Sequence, residues 1–339
     1  MEALESKVRS CYSEEITVGS NELAWMMMLD GCFILCLLLN QDDNCNDFKD
    51  LEDSQIHGKL WIWQMVKYDL LLVENQIPLF IIEKLLDLLR TPDDANVNLV
   101  SRALSLFSNL DLHRMDAPFS RPSHQVHHLL HLFYLSIVPC ELSIEQSTPS
   151  SLTPNWIPST MELQDAGVKF KEKKNALCFL DIKFSDGVME IPRLEIHDYS
   201  IKLFRNLIAF EQCYPDTQCH ITNYAVFMDC VINTPMDVRL LHLNGILKDR
   251  TGVDQGANVF FRSLCKGIHY ASDKNYLSSV YKDVTKYQGS KWHKWRAGLA
   301  RDYFNNPWAA ISVAAAVVLL LLTIVQTFFT VYPYFKPKN

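Results

Sequence analysis

Three histidines form the clearest pattern that could do chemistry. Within Ser123-His124-Gln125-Val126-His127-His128-Leu129-Leu130-His131, the residues His124, His128 and His131 recur three or four positions apart, so on a helix they share one face. Imidazoles so placed could hold a divalent ion, which would make the chain a membrane-tethered, metal-dependent hydrolase. Against this, the run has no Glu or Asp in a His-Glu-x-x-His arrangement, and a histidine-rich helix face beside solvent is the commoner origin of the spacing. A second loose group, Cys213, Cys219, His220 and Cys230, matches no standard zinc module and reads equally well as thiols beside a helix start.

No Gly-x-Gly-x-x-Gly, Walker-type loop, Gly-x-Ser-x-Gly elbow or kinase signature occurs, so phosphoryl-transfer and cofactor-driven chemistry have no visible anchor. A catalytic triad assembles in space without sequence spacing, which leaves that route open. The expectation is a non-enzymatic protein with no cofactor. Two polar sets interrupt apolar segments. Glu74, Asn75 and Gln76 precede Pro78, which lacks an N–H and blocks a carbonyl four residues earlier; their expected role is to satisfy backbone groups freed at a helix break. Arg205, Asn206 and Glu211 lie on an apolar helix, where a buried hydrogen-bonded ion pair is expected and a partner contact is the alternative.

The elements that must position these groups follow from periodicity. Apolar residues are dense from Glu22 to about Leu39, and helical spacing runs from Leu60 to Arg90, with a kink or restart at Pro78, from Val97 to Leu110, and from about Ser123 to Ile137. Pro139 to Pro158 concentrates Ser, Thr and Pro and reads as a surface loop or linker. Beyond it the period changes. Val168-Lys169-Phe170-Lys171 alternates, and Phe179 to Phe184 and Val188 to Ile191 flank Ser185-Asp186-Gly187, a β-hairpin signal because Asp-Gly tolerates the positive φ of a tight turn. Helical patterns resume at Tyr199 to Cys213, Ile221 to Asn233, Val238 to Leu247, Asn258 to Cys265 and Ser272 to Ala300. The expected fold class is mainly α with a small β-hairpin or sheet (α+β), plus one C-terminal transmembrane helix. Residues 1–138 form a helical part, 139–160 a linker, and 161–302 the hairpin and helices of the same domain.

Between Asp302 and Lys336 no side chain is charged, and Ala309 to Val325 is nearly all apolar. A bilayer core needs about 20 helical residues. Tyr303, Phe304 and Trp308 precede the stretch and Phe328, Phe329, Tyr332, Tyr334 and Phe335 follow it, at the depth where amphipathic rings favour the interface. Residues 303–335 are therefore expected to span a bilayer once, with 336–339 as a short tail. Lys291, Lys294, Arg296 and Arg301 before the span outnumber Lys336 and Lys338 after it, which places the N-terminal part in the cytoplasm. Trp292, His293 and Trp295 read as a juxtamembrane collar.

Composition agrees with an ordered domain: 339 residues, of which 48% are hydrophobic and 21% charged. A formal charge of −7 supplies no basic surface for counterion release, which excludes nucleic acid as the expected partner. The ten cysteines sit mostly isolated in apolar segments, and the N-terminus lacks the cationic and apolar regions of a signal peptide, so most are expected to be reduced core thiols.

Five blocks in order resemble a plant family known as "domain of unknown function 247". They are Met27-Met28-Leu29-Asp30-Gly31-Cys32-Phe33-Ile34, Leu70-Leu71-Leu72-Val73-Glu74-Asn75-Gln76-Ile77-Pro78-Leu79-Phe80, Ile191-Pro192-Arg193-Leu194-Glu195-Ile196 with Leu203-Phe204-Arg205-Asn206-Leu207-Ile208-Ala209-Phe210-Glu211-Gln212, Tyr224-Ala225-Val226-Phe227-Met228-Asp229, and Tyr303-Phe304-Asn305-Asn306-Pro307-Trp308. The motif residues Asp30, Gly31, Glu74, Asn75, Gln76, Pro78, Arg205, Asn206, Glu211, Pro307 and Trp308 are expected to be structural. Members of the family usually open with a further segment bearing a Ser-Ile-Gly-Pro-Tyr-His-like motif, and this chain begins after the point where it would lie. The resemblance implies a plant membrane-associated protein without established catalysis, some members being linked to self-incompatibility in grasses.

The sequence thus points to a membrane-anchored recognition or signalling module at the plasma membrane, with a protein partner and room for a homo-oligomer. The Asp- and Asn-rich loop Gln41 to Gln55 and the Ser/Thr/Pro linker are its best candidate recognition surfaces.

Overall fold

The chain opens with a short helix, α1 (Glu5–Arg9), whose Arg9 guanidinium pairs with Glu5 at 2.8 Å and donates to the Ile16 and Val18 carbonyls. The computed structural model describes residues 4–39, 60–89, 98–108, 110, 112, 126–138, 156–250, 256–270, 275–289 and 307–335. The N-terminal half continues with α2 (Ser20–Leu39), α3 (Leu60–Asp69), a 3-10 turn over Val73–Asn75, α4 (Leu79–Leu89), α5 (Leu99–Leu106) and α6 (Leu129–Ile137). Asn98 caps α5 by accepting the Ser101 N–H. The expected helix break at Pro78 is a full restart, nine residues of non-α backbone between α3 and α4.

By length and composition α2 could cross a membrane, yet it packs on α4 and buries Leu23, Met27, Ile34, Leu35, Leu37 and Leu38 in the core. The crossing is close because Gly31 has no side chain. A Cβ there would collide with Leu85 and touch Ile81 and Ile77.

The second half begins with α7 (Thr160–Asp165), started by a Ser159–Glu162 capping box. Strands β1 (Lys169–Glu172), β2 (Lys183–Ser185) and β3 (Val188–Ile191) form a sheet of order β1-β3-β2. The β2–β3 pair is the expected hairpin, antiparallel with Phe184 opposite Met189, and both central turn residues, Asp186 and Gly187, have positive φ. Phe179 to Ile182, expected to belong to the first strand, instead form an irregular approach, and β1 joins β3 in parallel.

Next come β4 (Leu194–Ile196), α8 (Ser200–Cys213), α9 (His220–Val231), α10 (Pro235–Leu243) and β5 (Leu247–Asp249). The pattern read as one helix from Val238 to Leu247 stops at Leu243, since Gly245 takes φ 76° and turns the chain into β5, which pairs in parallel with β4. The chain continues through α11 (Gly256–Leu264), α12 (Ser278–Gly289) and α13 (Pro307–Phe335). The described part of the helix expected over Ser272 to Ala300 is α12, whose Tyr287 packs edge-on against Phe184. The linker read over 139–160 falls mostly outside the described residues.

One buried apolar cluster runs from Val8 to Val284 and includes residues of both halves. Its aromatic centre is Phe179, Phe204, Tyr224, Phe260 and Phe261, with ring centroids 4.9 to 6.4 Å apart, mostly edge-to-face. The chain is thus mainly helical with small sheets, an α+β architecture. In α13 the apolar stretch whose side chains are described is Ala315–Thr330.

Candidate binding cleft

Two amides shape the break between α3 and α4. Gln76 Nε2 donates to the Leu70 and Leu72 carbonyls at 2.9 and 2.6 Å, and its Oε1 accepts the Leu130 N–H at 2.9 Å. Asn75 Nδ2 donates to the Asp69 carbonyl at 3.0 Å. These bonds satisfy backbone groups that an uninterrupted helix would have paired, which is the role expected of the set; Glu74 lies exposed. Asn206 of α8 grips the same turn, its Oδ1 accepting the Val73 N–H at 2.7 Å while its Nδ2 donates to the Lys202 carbonyl. The Tyr12 hydroxyl donates to the Gln76 carbonyl at 3.2 Å, and the Leu79 N–H donates to the His127 carbonyl at 2.7 Å.

The histidines close the next side. His128 is the N-cap of α6, its Nδ1 accepting the His131 N–H at 3.2 Å, and His131 Nδ1 in turn accepts the His127 N–H at 3.2 Å. His127 Nε2 and the Tyr214 hydroxyl share a hydrogen bond of 3.0 Å. An imidazolium has no acceptor nitrogen, so the cap requires neutral rings at His128 and His131. Burial, with a smaller contribution from His127, pushes His128 from 6.5 down to about 4. Because α6 starts at Leu129, His128 lies outside the helix and does not share its face with His131 as the spacing implied. His124 falls outside the described residues. Among the described residues no group of three His, Cys, Asp or Glu side chains is placed to hold a metal ion.

Glu211 is buried beside these rings. Its carboxylate accepts from the Tyr134 hydroxyl, the Ile221 and Thr222 N–H groups and the Thr222 hydroxyl, at 2.7 to 3.0 Å. Burial pushes its pKa up, and the four donors pull the other way. The expected buried ion pair is not what holds it, since Arg205 is exposed on α8 and Glu211 is held by hydroxyl and main-chain donors.

These walls enclose a cleft of about 730 Å³, within the range of small-molecule sites. Lys7, Cys11, Tyr12 and Ser13 line it from the N-terminal segment, Val73, Gln76, Ile77 and Pro78 from the break, Phe80 and Glu83 from α4. Val126, His127 and His128 precede α6, and Phe210, Cys213 and Tyr214 close it from the end of α8. Lys7 places its ammonium 4.0 Å from the centre of the Phe80 ring. Phe210 and Tyr214 stack with centroids 5.4 Å apart at 18°.

The sequence singled out Gln76, Pro78, His128 and Cys213 separately and did not join them, and it missed the other lining residues. Tyr12, Tyr214 and Lys7 lie in segments without periodicity, and no local signal marks them as neighbours of Gln76. Elsewhere, Asp30 is exposed, Gly31 serves the α2–α4 crossing, and Pro307 and Trp308 begin α13. Cys213, Cys219, His220 and Cys230 are not gathered into a site: Cys213 faces the cleft, Cys219 takes φ 54° ahead of α9, and His220 is buried. None of the eight described cysteines is in a disulfide: Cys178 is buried in the core, Cys32, Cys230 and Cys265 pack against it half-buried, and Cys11, Cys36 and Cys213 are exposed; Cys45 and Cys140 fall outside the described residues.

Comparison with known proteins places the arrangement in a family. The model of DUF247, described as a plant protein of unknown function, matches residues 1–322. The chain belongs to the DUF247 family. The UPF0481 protein At3g47200 of Arabidopsis thaliana is 29% identical over 358 residues, covering 99% of this chain and 73% of the relative. The putative UPF0481 protein At3g02645 of the same plant is 22% identical over 430 residues, covering 99% and 79%. No solved structure matches the chain. A DUF247 match therefore carries kinship without an activity, and the cleft must be read from its own chemistry.

Proposed function

We propose that this DUF247 protein is a non-enzymatic recognition and signalling module, anchored in a membrane by α13 and presenting its folded part to the cytoplasm. The observation that carries the reading is α13 itself. It runs for 29 residues, about 44 Å at 1.5 Å per residue, and contains no charged residue. Along it the large apolar side chains from Val317 to Phe329 stand 49 to 68% exposed in an unbroken run, whereas α2, α4, α10 and α11 expose only some of theirs and bury the rest in the core. An apolar surface of that size in water is costly, and lipid is the environment that removes the cost. The plasma membrane is the proposed site, and a protein partner the proposed object of recognition, a reading in keeping with the self-incompatibility roles linked to some members of the family.

The test is alkaline extraction and protease protection of full-length protein tagged at each end, beside a chain ending at Asp302. Retention of the full chain in the membrane, loss of the short one, and cleavage of the N-terminal tag in sealed vesicles support the reading. Release of the full chain by alkali removes the anchor, and protection of the N-terminal tag reverses the topology.

A further inference from the structure

The cleft beside Gln76 carries more information about its occupant than its shape alone. Four main-chain groups at or beside it are already committed: the Val73 N–H to Asn206, the Leu79 N–H to His127, the His127 N–H to His131, and the Gln76 carbonyl to Tyr12. A peptide strand, which binds through main-chain pairing, finds those partners taken, and recognition falls to side chains. Six of the sixteen lining residues are aromatic: Tyr12, Phe80, His127, His128, Phe210 and Tyr214. Flat rings recognise another flat ring through offset-stacked and edge contacts. Among the lining residues Lys7 and Glu83 are the two with a standing formal charge, one of each sign. His128 stays neutral because its Nδ1 is committed as an acceptor. An anion gains Lys7 and meets Glu83; a cation meets the reverse. A molecule without net charge avoids both repulsions.

We propose that this cleft binds a planar aromatic small molecule of zero net charge. The proposal deepens the reading of the chain as a recognition module and is independent of its anchor.

Two thiols facing the cleft, Cys11 and Cys213, supply a local readout, and the exposed Cys36 of α2 lies outside it as a control. Full-length protein in detergent is alkylated with a maleimide just below neutral pH, and each thiol is followed by peptide mass spectrometry. Four probes share one ring: N-acetyl-L-tryptophanamide and L-tryptophan without net charge, N-acetyl-L-tryptophan as anion, L-tryptophanamide as cation. The two net-neutral probes are expected to slow Cys11 and Cys213 about threefold at twice a millimolar Kd, leaving Cys36 unchanged and the charged probes weaker. Glu83→Gln should shift the preference to the anion, and Lys7→Gln to the cation. Equal slowing of all three thiols, no slowing at all, or a charged probe protecting best in the unsubstituted protein overturns the proposal. So does a preference that neither substitution moves. Conversion of a protecting probe into product would instead overturn the non-enzymatic reading while supporting the cleft as the site.

Discussion

Tyr134 donates its hydroxyl to Glu211 at 3.0 Å inside the core, joining α6 to α8. The same carboxylate accepts the Ile221 and Thr222 N–H groups in the first turn of α9, whose N-cap Cys219 makes no side-chain capping bond. Glu211 thus caps a helix from another element, with the favourable sign for a helix N-terminus.

Glu211→Gln keeps the volume but turns an amide NH2 toward groups that also donate. The expected loss is about 1–3 kcal/mol, the cost of a buried donor left unpaired. Glu211→Ala adds a cavity and should cost about 3–5 kcal/mol. Tyr134→Phe removes one of four donors and should cost about 1 kcal/mol. Denaturant midpoints of the three variants check the order, and equal losses would remove Glu211 as the shared acceptor.

Gln76 makes three hydrogen bonds across the chain break, two as donor and one as acceptor. Gln76→Ala abandons all three and should cost about 2–3 kcal/mol. Gln76→Glu retains the acceptor for Leu130 but sets a carboxylate against the Leu70 and Leu72 carbonyls, so at neutral pH it should be the more damaging change. Thermal unfolding with maleimide accessibility of Cys213 checks both, since a displaced Gln76 turn alters the cleft wall. A Glu variant as stable as the Gln protein would mean the two carbonyl bonds are expendable.

Gly31→Ala sets two known effects against each other. Alanine gains about 1 kcal/mol of helix propensity over glycine, while the new methyl meets the end of the Leu85 side chain, which can rotate away at an overpacking cost of about 1–3 kcal/mol. The net expectation is a loss of about 1 kcal/mol. Gly31→Val has no such escape, because Ile81 and Ile77 wait behind Leu85, and it should cost several times more. Urea unfolding of both variants decides; a stabilised valine variant would mean that α2 and α4 do not cross at Gly31.

What was legible in the sequence was what local spacing encodes. The α2 stretch shows as a dense apolar run and α8 as helical spacing of apolar residues, and Asp186-Gly187 declares its turn through the positive φ both residues adopt. The short strands β4 and β5 were not legible, since three residues each give no period, and their pairing joins segments some fifty residues apart. Pro78 announces the break in the sequence, and Gln76 bonds the Leu70 and Leu72 carbonyls across it. Its role in a cleft could not be read, since Tyr12, His127 and Tyr214 reach it only through tertiary packing. The histidine spacing misled for a related reason: His128 caps α6 from outside, so a helical wheel drawn through it describes a helix that has not begun.

That cap makes the fold sensitive to acid in a calculable direction. His128 holds its folded-state pKa near 4 against 6.5 for the free ring, chiefly through burial and secondarily through His127. A depressed value means the folded state binds the proton less well than the unfolded chain. The contribution of His128 is therefore complete above pH 6.5 and is lost as the pH falls toward 4. At 1.36 kcal/mol per unit this amounts to about 3 kcal/mol. His128→Asn keeps an N-cap acceptor that carries no titratable proton. Urea unfolding between pH 7.5 and 4.5 should show the unsubstituted protein losing about 2.5 kcal/mol more than the Asn variant across that window. Parallel pH profiles for the two proteins would show that His128 is protonated as readily in the folded protein as in the unfolded chain, and that the start of α6 does not depend on a neutral imidazole.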